Sequence, residues 1–200
     1  DYDALEVLKT AKLETGKIQN TVAGYHVVPS SPALANIDSV LSQVGKEYRL
    51  KEALAGFEDY DYVVMDTPPS LNIITINALT ASDFALIPAQ ADIFSLQGIT
   101  QLAQTIDVVK RYTNTNLKVL GVVLTKHNTR SVLGRDLQQV ITDTATHIHT
   151  KVYTQFIREA VAVREAQAMK QDIFSYDAKS NPAKDYDLLM KEVWKDICHE

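Results

Sequence analysis

The sequence predicts an α/β fold: a doubly wound, mostly parallel sheet with helices on both faces. Three observations predict it. Short runs that are apolar on both faces recur at Tyr62–Met65, Phe84–Pro88 and Val119–Thr125, as in strands buried in parallel sheets. Stretches of helical period alternate with them, the clearest starting at Gly98, where Ile99, Leu102, Ala103, Ile106 and Val109 line one face. The chain has 200 residues, 46% of them hydrophobic, enough for one core, so a single domain over 1–200 is expected.

In chain order, Asp3–Lys12 reads as a short helix with Leu5, Leu8 and Lys12 at helical spacing, stopped by Thr15-Gly16. Tyr25–Val28 reads as a strand. Ser31-Pro32 is a helix start, a capping hydroxyl with proline at the first helical position, leading to about Val44. Tyr48–Phe57 is a second helix, followed by the strand Tyr62–Met65, a helix from about Leu71 to Thr80 and the strand Phe84–Pro88. The helix from Gly98 leads into Val119–Thr125. Then come a helix from about Ser131 to Ala145, a strand Val152–Ile157, a helix from about Val161 to Met169, and a last helix opened by Ser180-Asn181-Pro182, with Tyr186, Leu189, Met190, Val193 and Trp194 on one side.

Apolar runs are broken every few residues, so no window is long enough to cross a bilayer, and no signal peptide precedes the first helical segment. A cytoplasmic protein without membrane attachment is expected. The single Cys198 excludes an internal disulfide. Net charge is −5, unevenly spread: residues 1–100 hold six Lys/Arg against thirteen Asp/Glu, residues 101–200 fourteen against twelve. Between Lys110 and Lys170 ten basic residues face four acidic ones, so one face of an acidic protein is predicted to be basic. His147 and His149 stand two apart, a spacing that does not converge on a helix, and no cysteine or acid completes a metal set.

Asp66 ends the strand in YDYVVMDTPPSLN. Pro68 and Pro69 fix their φ angles and donate no hydrogen bond, so the chain leaves Asp66 extended. As a single residue it fits a turn acid or helix cap equally well. Ligands of open α/β sheets, however, bind beyond the carboxyl ends of the strands, where Asp66, Pro88, Thr125 and Lys126 all fall. A carboxylate there can orient Mg²⁺ and its waters beside a nucleoside triphosphate.

The motif set resembles the ParA family of plasmid and chromosome partition ATPases, of the deviant Walker A class. It comprises YDYVVMDTPPSLN, IPAQADIFSLQGI (Ile87 to Ile99), GVVLTKHNTR (Gly121 to Arg130), Tyr48-Arg49-Leu50-Lys51-Glu52-Ala53-Leu54 and Tyr176-Asp177-Ala178-Lys179-Ser180, and covers nearly the whole chain. The resemblance implies a P-loop-type fold, ATP and Mg²⁺ as cofactors, ATP-dependent homodimerisation, non-specific DNA binding and a ParB-like centromere-binding partner on the nucleoid. It implies that Asp66 acts in catalysis and holds the metal through water, and that Thr67, Pro68, Thr125, Lys126, Ile157 and Arg158 adjoin the nucleotide. Arg130 matches a DNA-binding arginine of the family; Arg135, Arg164 and Lys126 extend that basic set. A second family arginine lies in a segment like P-R-N-V-R-L-x-E-A. Aligned on Glu165-Ala166, its position is taken by Ala162, with Arg164 two residues on.

The family's glycine-rich phosphate loop and second acidic motif are not among these residues. At the Gly-Lys pair Gly45-Lys46, Val40 replaces the first glycine and Glu47 the hydroxyl residue, and the pair reads as a helix end. Backbone amides and a lysine carry most phosphate binding in this chemistry. The 200 residues are therefore expected to be an N-terminally truncated core that does not hold ATP, with an exposed sheet edge. A competing reading is a non-catalytic DNA-binding or adaptor module that keeps the fold. A membrane-placing ATPase of the cell-division type fits less well, because Val193–Glu200 is too short and acidic for a membrane-surface helix.

Overall fold

The computed structural model describes residues 2–21, 24–57, 59–128 and 132–198, with the backbone alone at 132–135 and 147. They form two compact units, Asp1–Asp83 with Gln104–Leu117, and Phe84–Ala103 with Lys118–Glu200.

In the first unit, α1 (Ala4–Thr10) starts where the Asp3 carboxylate accepts the Glu6 N–H at 3.0 Å, and ends at Ala11 in the left-handed conformation. Leu5 and Leu8 pack with Leu34, Ile37, Leu41 and Ile73 in one apolar cluster. The strand predicted at Tyr25–Val28 is reduced to β2 (His26–Val27), paired antiparallel with β1 (Gln19–Asn20). It belongs to a small hairpin, because Gly24 turns the chain back on itself at φ 84°.

Ser31-Pro32 does open a helix, first as a 3-10 turn (Pro32–Asn36) and then as α2 (Ile37–Val40). It stops short of Val44, which is fully exposed. Gly45, at φ 84°, begins a further 3-10 turn (Lys46–Tyr48) that runs into α3 (Arg49–Leu54). The Gly45-Lys46 pair thus sits at a helix start, not at the predicted helix end. The Asn72 side chain accepts the Ile74 N–H and so caps α4 (Ile73–Ala81).

The predicted strand Tyr62–Met65 is not formed. Its residues pair with no strand among the described residues, and Val64 is 93% exposed. An apolar run becomes a buried strand only where neighbours satisfy its backbone and cover its faces. Among the described residues no strand lies beside this run, and Val63 and Val64 are exposed.

In the second unit, β3 (Phe84–Ala89) and β4 (Lys118–Leu124) pair in parallel. The register shifts once, from Ala85↔Val119 to Leu86↔Gly121, and then runs to Ala89↔Leu124. The predicted strand Val152–Ile157 survives as single parallel bridges, Val122↔Val152 and His127↔Arg158. Backbone bonds from Tyr153 N to Val122 O (2.9 Å) and from Ile157 N to Leu124 O (2.8 Å) support it.

The helix predicted from Gly98 is α5 (Ile93–Tyr112), which starts earlier because the Asp92 carboxylate accepts the Ser95 N–H at 2.7 Å; it contributes residues to both units. Helices α6 (Val132–His147), α7 (Val161–Ala168) and α9 (Asn181–Cys198) stand near their predicted places. Between the last two lies α8 (Ile173–Asp177), capped by Asp172, which is too short to show a period. Val123, Tyr153, Ile157, Leu189 and Val193 form the core that joins β4 to α9.

Candidate functional site

The carboxyl ends of β3 and β4 are tied together. The Thr125 N–H donates to Ala89 O at 2.7 Å, and the Thr125 hydroxyl to the same oxygen at 3.2 Å. Lys126 follows in the left-handed conformation, φ 49°, with its side chain exposed. His127 then returns to pairing: its N–H donates to Ile157 O at 3.0 Å. Thr125, Lys126, Ile157 and Arg158 therefore line one edge of the second unit, Thr125 and Lys126 directly after the carboxyl end of β4; Asp66, expected at such an end too, follows no strand among the described residues, because the run before it forms none.

The His127 ring is only 4% exposed. It meets Phe156 edge-on at 4.9 Å between centroids, and its Nδ1 has no hydrogen-bond partner among the described residues. Burial pushes the imidazole pKa below its ordinary value, opposed by a hydrogen bond with the Gln138 side chain.

Arg158 is held from α9. Its Nε and one terminal nitrogen each lie 2.7 Å from a different carboxylate oxygen of Asp185, and its backbone N–H donates to the same carboxylate at 3.2 Å. The Gln155 side-chain amide reaches Asp185 at 3.4 Å, and the Gln155 N–H reaches Glu192 at 3.4 Å. Asp185 is 2% exposed, so the acid is buried while the Arg158 side chain stays partly in solvent. A planar guanidinium matched to both oxygens is the strong form of such a pair.

Asp66 lies in the first unit, exposed, with neither hydrogen bond nor ion pair among the described residues; Thr67 beside it is exposed and Pro68 half-buried. Among the described residues no group of three or more His, Cys, Asp or Glu side chains is placed to hold a metal ion. Arg164 is exposed on α7. Arg130 lies outside the described residues, and the Arg135 side chain likewise. No described helix is long and apolar enough to cross a membrane.

Asp185, Gln155 and His127 were not singled out from sequence. Asp185 left a signal: with Leu189 and Val193 it falls at i, i+4 and i+8, on the core-facing stripe of α9, where an acid needs a partner.

A family model described as an AAA domain matches residues 2–119. The sporulation initiation inhibitor protein Soj of Bacillus subtilis is 36% identical over 195 residues, which span 96% of this chain and 72% of that protein. The chain belongs to the ParA/Soj family of partition ATPases. The chromosome partitioning protein ParA of Caulobacter vibrioides is 35% identical over 196 residues, with the same two coverages, 96% and 72%. A solved structure of cobyrinic acid a,c-diamide synthase from Mycobacterium smegmatis, with bound ADP and magnesium, is 32% identical with a TM-score of 0.70. It covers 79% of this chain, which spans 64% of that one. For this ParA/Soj chain, these likenesses support the α/β, P-loop-like fold expected from the alternating strands and helices.

Proposed function

We propose that the complete protein is a ParA-type partition ATPase that dimerises on ATP, binds DNA without sequence preference when dimeric, and is stimulated by a ParB-like centromere-binding partner. The observation that carries this reading is the identity of 36% with Soj over 96% of the chain. It is joined to an edge, Thr125 to His127 beside Ile157 and Arg158, that lies where open α/β sheets bind ligands.

The residues present fit part of the cofactor. In the second unit, Thr125, Lys126, Ile157 and Arg158 offer backbone groups and two cations, Lys126 and the Asp185-paired Arg158, for a nucleotide base and sugar. In the first, the free carboxylate of Asp66, with Thr67 and Pro68 behind it, would orient a hydrated Mg²⁺, which supplies charge neutralisation for phosphoryl transfer. No G-x-x-x-x-G-K-[ST] occurs in the 200 residues. By themselves they are therefore proposed to bind no ATP and to hydrolyse none, and both units are proposed to belong to one ATPase core. Arg130, Arg135, Arg164 and Lys126 would contribute to a summed, salt-sensitive attraction for DNA phosphates.

The test is a titration of ATP with Mg²⁺ against residues 1–200 and against the full-length gene product. Saturable binding only by the longer protein is expected. Binding by the short chain would overturn the argument from the phosphate loop. A full-length product that binds DNA but no nucleotide would establish the adaptor reading.

A further inference from the structure

Counted from Glu165-Ala166, the proline of the segment that the resemblance implies, P-R-N-V-R-L-x-E-A, falls at position 158, where this chain carries an arginine. Proline fixes φ through its ring and presents no N–H. Arg158 has a free φ and an N–H, and both the N–H and the guanidinium end on Asp185. The constraint that a ring would supply is here supplied by a buried carboxylate on α9.

We propose that Asp185 is a positioning residue: through Arg158 it fixes the peptide at 157–158 against the purine base of the bound nucleotide. The inference rests on the nucleotide edge of the proposed function. Three contacts hold the segment from two sides. Ile157 N donates to Leu124 O and His127 N to Ile157 O on the β4 side, while Asp185 grips Arg158 from α9. A base that lies against such an edge is read by backbone groups at fixed positions, and a shift of about 1 Å in a positioning group can cost on the order of 100-fold.

Removing this grip acts on position rather than on folding. The Arg158 side chain is 43% exposed, so water can solvate a guanidinium that has lost its partner, and Asp185→Asn keeps the volume inside α9 while removing the charge. The experiment measures ATP and GTP hydrolysis by the full-length gene product, wild type against Asp185→Asn and Arg158→Lys. For Asp185→Asn we expect the KM for ATP to rise about tenfold, kcat to stay within twofold, and the preference for ATP over GTP to fall about tenfold. Arg158→Lys, which keeps the charge but loses the planar fork, is expected to fall between.

A merely structural pair gives a different pattern: the active fraction and kcat fall, with KM and base preference unmoved, and that result overturns the proposal. If Asp185→Asn does not fold, an unchanged KM and base preference in Arg158→Lys overturns it equally. A wild-type protein without ATPase activity removes the proposed function itself, and the inference with it.

Discussion

The side-chain carbonyl of Asn77, on α4, accepts the backbone N–H of Leu50, the second residue of α3, at 3.0 Å. Asn77 is fully buried, and its amide nitrogen donates to Lys46 O and Ile73 O, each at 2.9 Å. One side chain thus satisfies the entry of α3 and ties it to α4. Asn77→Ala leaves the part-buried Leu50 N–H and Lys46 carbonyl without this partner, and should cost roughly 1 to 3 kcal/mol. Urea denaturation of residues 1–200 checks this through the midpoint.

Gly121 is required by a close approach. A Cβ there would stand 2.8 Å from Tyr153 Cε2 and 3.0 Å from Lys151 O, at φ 157°. Tyr153 cannot retreat freely, since its hydroxyl donates to Asp196 at 2.6 Å. Gly121→Ala should destabilise by roughly 2 to 4 kcal/mol through overpacking and backbone strain. A thermal melt followed by circular dichroism reads the shift.

His127 makes stability depend on pH. Its folded pKa is depressed, because burial disfavours the imidazolium more than the hydrogen bond with Gln138 favours it. The contribution is therefore complete above the unfolded value, near 6.5, and is lost as pH falls through and below it. His127→Phe keeps an aromatic ring against Phe156 and removes the titrating group. Denaturant midpoints at descending pH should fall more for wild type than for His127→Phe between neutrality and mild acid, and parallel curves would assign the dependence to other groups.

The stretch Tyr62–Met65 has no strand partner among the described residues. In residues 1–200 its amides should exchange with deuterium far faster than those of β4. Val64→Lys should change stability by no more than about 0.5 kcal/mol, as at any exposed site. Slow exchange, or a large loss of stability, would show that the run is covered.

DNA attraction is a prediction about charge. For the full-length gene product with ATP bound, log K against log salt should be linear and steep. Arg130→Ala and Arg164→Ala should each reduce the slope by about 1. Affinity should weaken uniformly across DNA sequences. A loss confined to particular sequences would point to base reading instead.

How much was legible followed from the range of the interactions. Strand and helix type at Phe84–Ala89, Lys118–Leu124 and Asn181–Cys198 was written in local period and caps, which neighbouring residues alone produce. Asp92 moved the start of α5 by five residues from Gly98 because one capping side chain outweighs a glycine in the helix interior.

The sequence by itself determined the alternating α/β order, the carboxyl-end position of Thr125 and Lys126, and the family motifs, since each depends on residues a few places apart. Only the tertiary structure decided that Tyr62–Met65 forms no strand among the described residues and that Arg158 is anchored by Asp185, 27 residues away. Strand pairing and buried ion pairs are settled by which distant groups arrive to satisfy a backbone or a charge, and no local pattern records that arrival.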